Sequence, residues 1–189
     1  MRRLSYKVSR WLGWSIEGVL PDVPKMVIIG APHTSNWDFF LFLAAIHHFD
    51  IKVNFLGKHK LFRPPFGWMF RKVGGIPVDR SQPGGVVGQV KAAFDTRDEM
   101  ILVVAPEGTR RAAPRWKSGF VEIAEGADVP VVFAGVDGEN KVLEVGGPEF
   151  VGADREEFMD RARAFFADKS GIKPKGKGPV RLAREPTRS

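Results

Sequence analysis

The 189 residues suffice for one domain, and 43% hydrophobic content allows a full buried core. No cysteine is present, which excludes a disulfide framework and thiolate chemistry and fits a reducing compartment. The net charge of +7 is uneven, with +4 on residues 1–10, +7 on 25–117 and +5 on 170–189 against −7 on 118–169, so one face favours an anionic partner such as a lipid surface or nucleic acid.

Residues 2–19 read as an amphipathic helix. Leu4, Val8, Trp11, Leu12 and Val19 share one side, and Arg2, Arg3, Lys7 and Arg10 the other. Such a helix either lies in a membrane interface or packs as a surface helix on the domain. Pro21 and Pro24 end it, and residues 1–24 are expected to form an amphipathic membrane-surface segment. Strand and helix patterns then alternate. Strands are predicted at Met26–Ile29, Ile51–Leu56, Ile76–Val78, Met100–Ala105 and Val129–Ala134, with an edge strand at Lys141–Val145. Helices are predicted at 37–48, 66–73, 86–97, 117–125 and 155–168. This alternation predicts a single α/β domain over residues 25–169, with a mixed, mostly parallel sheet flanked by helices. Residues 170–189, rich in lysine, glycine and proline, read as a disordered basic tail. The longest apolar run, Phe39 to Ile46, is far too short to span a bilayer. No signal peptide is evident, so the expected location is cytoplasmic, peripheral on the inner face of the membrane.

Two strings carry candidate chemistry. The first is Pro32-His33-Thr34-Ser35-Asn36-Trp37-Asp38. Positions five apart lie about 140° apart on a helix. His33 and Asp38 therefore meet only if the histidine sits in a loop and the aspartate in the first helical turn. Thr34, Ser35 and Asn36 offer helix caps at that boundary. Asp38 would then take the Nδ1–H of the ring and leave Nε2 as a base for a hydroxyl. The alternative is a capping sequence with an incidental histidine. Ser35 reads as a cap or a supporting partner. It has no nucleophile-elbow context.

The second string, Glu107-Gly108-Thr109-Arg110, follows the strand Met100–Ala105. Loops past the carboxyl ends of parallel strands are where α/β sheets bind ligands. Arg110 offers a planar fork for phosphate, and Thr109 a hydroxyl. Glu107 either orients Arg110 or bonds a substrate hydroxyl. A surface Glu–Arg turn is the plain alternative.

Two further strings follow the same order along the chain. Gly75-Ile76-Pro77-Val78-Asp79-Arg80 sets an arginine after a short strand, and Val129-Pro130-Val131 opens a buried one. Together the four strings resemble the glycerolipid acyltransferase family, best known for the 1-acylglycerol-3-phosphate (lysophosphatidic acid) acyltransferases. The likeness rests on His33, Ser35 and Asp38, then Gly75, Ile76, Asp79 and Arg80, then Glu107 to Arg110, then Val129 to Val131. Lys117-Ser118-Gly119 also resembles the family's lysine-x-glycine. The likeness spans about residues 25–135.

That resemblance implies that His33, oriented by Asp38, deprotonates an acceptor hydroxyl. The hydroxyl would attack the thioester of acyl-CoA or acyl carrier protein with no acyl-enzyme. It implies that Arg80, Glu107, Gly108, Thr109 and Arg110, with Lys117 beside them, hold the head of a lysolipid acceptor. It implies no metal and no prosthetic group. Its implied partners are the thioester donor, the lysolipid and an anionic membrane surface, with no nucleic acid. Pro32 before the histidine, Asn36-Trp37 inside the first motif, Arg111 doubling Arg110 and Ala134 after the fourth motif depart from the family pattern and leave the acceptor open. Lys58, Lys60, Arg63, Arg71 and Lys72 would grip a second phosphate, a carrier protein or the bilayer, or form a solvated basic face. The rival reading is a non-catalytic basic module for anionic membrane or nucleic acid. A hydrolase on the same fold is the third.

Overall fold

The computed structural model describes residues 13–65, 67–79, 81 and 85–183. Three strands form the centre of its sheet: β2 (Lys25–Ala31), β5 (Met100–Val104) and β6 (Val131–Asp137). β2 and β6 are buried over nearly their whole length, on both faces, which selects β-branched and aromatic residues without polar alternation. β3 (Asn54–Lys58) and β4 (Gly75–Val78) extend the sheet on one side, and β7 (Val142–Glu149) and β1 (Ser15–Glu17) on the other. The strand order is β1-β7-β6-β2-β5-β3-β4, and only the β6–β7 pair is antiparallel.

The alternation of side chains along each strand feeds two cores. Val27, Ile29, Leu102, Val131 and Phe133 pack against α3 (Gly85–Asp95), α4 (Gly119–Ala127) and α5 (Arg155–Phe166). Met26, Ile28, Val132, Val136 and Leu143 face α1 (Asp38–Phe49) and residues 14–23. On that second side a 3₁₀ turn (His59–Phe62) and α2 (Gly67–Lys72) cover β3 and β4. The Phe62 ring lies so close over Gly57 and Gly75 that a Cβ at either position would come within about 3 Å of it. α5 is capped by Asp154, whose side chain accepts the N–H groups of Glu156 and Glu157. Among the described residues no helix is long and apolar enough to cross a membrane.

The expected single α/β domain with a mostly parallel sheet is observed. Three expectations change. The helix expected over 2–19 falls mainly on residues 1–12, outside the described residues, and its end is not helical. Ser15–Glu17 instead adds a strand parallel to β7. β7, expected at an edge, is thereby enclosed between β1 and β6. Residues 170–183, expected to be disordered, pack into the domain. Val180 and Leu182 join the core beside Trp116, and Trp116 forms a parallel bridge with Leu182.

Candidate active site

β2 and β5 are adjacent and parallel, with Ile29 paired to Val104. The connections leaving their carboxyl ends therefore emerge side by side. One is Pro32–Trp37, which leads into α1. The other begins with Ala105-Pro106-Glu107.

Asp38 is the first residue of α1 and is buried. Its Oδ2 accepts the backbone N–H groups of Thr34 at 2.8 Å and Ser35 at 2.7 Å. The same oxygen lies 3.0 Å from His33 Nδ1. One carboxylate thus folds the loop and orients the ring, with His33 in the loop and Asp38 in the first turn as the spacing required. The amides it binds precede the helix, so it shapes the loop and does not cap the helix end. Trp37 is the N-cap residue and makes no side-chain cap bond. Ser35, itself buried, gives a weaker bond, its Oγ accepting Trp37 N–H at 3.3 Å. Asp38 Oδ1 is buried with no hydrogen-bond partner among the described residues.

Glu107 has a role not foreseen from its motif. It is buried, and its Oε2 accepts the backbone N–H of His33 at 2.6 Å. Burial raises its pKa and the nearby Asp38 charge adds to the effect. The bond from the His33 N–H and the charge of His33 oppose it. Of its expected roles, the structure does not show it orienting Arg110, whose guanidinium meets Asn36. It shows a brace under the His33 backbone.

Arg110 turns toward the first loop, where its guanidinium donates to Asn36 Oδ1. Asn36, a cap candidate and a departure inside the first motif, is by this contact part of the site, and its place between His33 and Asp38 is the sequence signal for that. Thr109 is exposed, and its Oγ1 accepts Arg111 N–H at 3.3 Å. The end of the Lys117 side chain lies against Gly108, which has φ of +63°, and the Lys117 backbone N–H bonds Pro106 O at 2.9 Å. Arg80 lies outside the described residues.

A cavity of about 590 Å³ opens between α1 and the sheet. Its walls are apolar, built from Ile28, Phe42, Ile46, Phe49, Val103, Val136, Leu143 and their neighbours. The polar side chains that line it are His33, Asn36, Asp38 and Arg110. The structure therefore gathers His33, Asp38 and Arg110 on one cavity, braces the His33 backbone with Glu107, and sets Gly108, Thr109 and Lys117 around the adjoining turn. Chemically the arrangement can supply a base with an orienting carboxylate and an anion-binding fork, opening on an apolar space that has the character an alkyl chain requires.

Similarity to known proteins agrees with this geometry. The family model described as Acyltransferase matches residues 17–136. The chain belongs to the acyltransferase family. It is 29% identical over 136 residues to a 1-acyl-sn-glycerol-3-phosphate acyltransferase of Streptococcus pneumoniae, a match covering 65% of this chain and 50% of that protein. The chain thus spans about half the length of this curated relative. Its fold is similar to the crystal structure of the 1-acyl-sn-glycerophosphate (LPA) acyltransferase PlsC from Thermotoga maritima. That likeness has a TM-score of 0.58 at 20% identity, covering 91% of this chain and 76% of the other.

Proposed function

We propose that the protein is an O-acyltransferase. It moves a fatty acyl group from a thioester, acyl-CoA or acyl carrier protein, to the hydroxyl of a lysophospholipid such as 1-acylglycerol-3-phosphate. The observation that carries this reading is the apolar cavity with two bonded polar pairs, His33–Asp38 and Arg110–Asn36, on its wall. Family membership and the activity named for the pneumococcal relative support the same reading. In the proposed reaction Asp38 holds Nδ1–H, and Nε2 takes the proton of the acceptor hydroxyl. The hydroxyl oxygen bonds to the thioester carbonyl carbon, the C–S bond breaks, and the departing thiolate takes the proton back from His33. Arg110 pairs with the acceptor phosphate, and Thr109, Lys117 and Arg80 complete the head-group side.

The same reading places the protein on an anionic membrane. Trp37, Phe39, Phe40, Leu61, Trp68 and Met69 are exposed. They sit on α1, α2 and their flanks, the layer that covers one side of the sheet. Residues 51–78 carry six basic residues and no acidic one. Exposed aromatics interleaved with cations are what an anionic lipid surface binds.

A test acts on the cavity itself. Gly30 lines it, and a Cβ there would meet nothing within 4 Å. Gly30→Leu fills part of the space. Thioesters of graded chain length are supplied with lysophosphatidic acid and a panel of other lysolipids. Each methylene of lost room is worth about 1–3 kcal/mol, so the variant turns over the longest chains at least tenfold more slowly and keeps the short ones. An unchanged chain-length profile, or no thioester consumption by the parent, overturns the proposal.

A further inference from the structure

Beyond α5 the chain crosses the carboxyl edge of the sheet in the order of the strands beneath it. Gly171 N–H bonds to Val136 O at the end of β6 at 2.8 Å. Lys173 N–H then bonds to Thr34 Oγ1, on the loop after β2, at 3.0 Å. Gly176 lies between Thr34 and the backbone oxygen of Arg110, with a Cβ there 3.0 Å from Thr34 Cβ and 3.4 Å from Arg110 O. Gly178 abuts Ala113, and Trp116 exchanges backbone bonds with Arg181 at 2.6 Å and Ala183 at 3.0 Å. Both ends are anchored. Lys169 is buried and paired with Glu144 and Asp168, and Leu182 is buried in the core.

We propose that residues 170–183 form a clasp that sets the two motif loops against each other, and that Thr34 is a positioning residue through which the clasp acts on His33. Thr34 is suited to this role by where its groups go. It is only 4% exposed, and its hydroxyl takes the clasp's Lys173 N–H. Its own N–H donates to Asp38 Oδ2, the atom that holds the His33 ring. A shift of the clasp therefore moves the peptide next to His33 and the carboxylate that orients it. The tight approach of the clasp to Thr34 also requires small residues. A Cβ at Gly171 would lie 2.8 Å from both Thr34 Oγ1 and Thr34 Cγ2, and Gly171 has φ of +70°. The catalytic half of this inference rests on the acyl-transfer reading. The clasp itself does not.

The test uses the full chain with Thr34→Val, which keeps the volume and removes the hydroxyl, and Thr34→Ser, which keeps the hydroxyl. Two measurements are made: steady-state acyl transfer to lysophosphatidic acid, and hydrogen exchange at the Lys173 amide. In Thr34→Val, kcat falls about tenfold or more, since small misplacements at a reacting centre are amplified, while KM for the thioester stays within about twofold. Lys173 exchange accelerates about tenfold or more, and Thr34→Ser restores both. An unchanged kcat in Thr34→Val, or an equal loss in Thr34→Ser, overturns the positioning role. Should the parent consume no thioester, the acyl-transfer reading fails, and the exchange measurement alone decides the clasp. A Lys173 amide that exchanges equally fast in parent and Thr34→Val overturns it.

Discussion

His33 is held at two points, and through its neighbour at a third, by groups on the connections that follow two adjacent strands. Its ring meets Asp38, its backbone N–H meets Glu107, and its neighbour Thr34 also bonds Asp38. Glu107 is the least obvious member, because a buried carboxyl is costly unless it is bonded. Its raised pKa means the folded state holds the proton more tightly than the unfolded chain. The stability this contributes is present below the ordinary glutamate range and is lost as pH rises through the folded value. Glu107→Gln copies the protonated form and still accepts from His33 N–H. Its melting temperature relative to the parent should therefore rise from acid to about pH 8, as followed by circular dichroism. A relative fall toward alkaline pH would show that the charged form is the one the fold favours. At this scale the motif spacing was enough to pair His33 with Asp38. Glu107's partner was not legible, because it is a backbone group 74 positions away, and only the β2–β5 register brings the two together.

At the scale of elements, hydrophobic pattern located what burial dictates. The central strands were legible because parallel strands covered on both faces leave long apolar runs. β1 was not, since Ser-Ile-Glu has too little pattern of its own and exists by pairing with β7. The clasp was misread for a compositional reason. Glycine and lysine usually mark disorder, but Gly171 and Gly176 are small so that the chain can approach Thr34. Lys177 spends its charge on the carbonyls of Phe166 and Ala167 at the end of α5. The basic elements on the α1 side carry a prediction of their own. Replacing Lys58, Lys60 and Lys72 by Gln should weaken binding to anionic vesicles roughly a hundredfold in a sedimentation assay, at about 1 kcal/mol per charge near the surface. Binding to neutral vesicles should hardly change. Equal binding to anionic vesicles would move the membrane contact elsewhere on the molecule.

For the whole molecule, the sheet divides the labour. One side is a packed core in which Trp116, Phe120, Phe133, Phe158 and Phe166 stack edge to face or tilted. The other side is less filled, and there α1 stands over a cavity that the exposed rings of Phe39 and Phe40 help to line. The packed core and the cavity thus lie on opposite faces, and the loops at the carboxyl edge border the cavity. That edge was legible from the order of the motifs. The cavity was not, because its volume depends on how far α1 stands from the sheet, which no local pattern encodes. The account stands on His33 as the base for acyl transfer, and the most direct measurement is thioester consumption with lysophosphatidic acid by the parent and by His33→Ala at equal folded concentration. A positioned base is worth about 10²–10⁴-fold, so the variant should lose at least a hundredfold in kcat with its fold intact. Equal turnover by the two proteins would contradict the account.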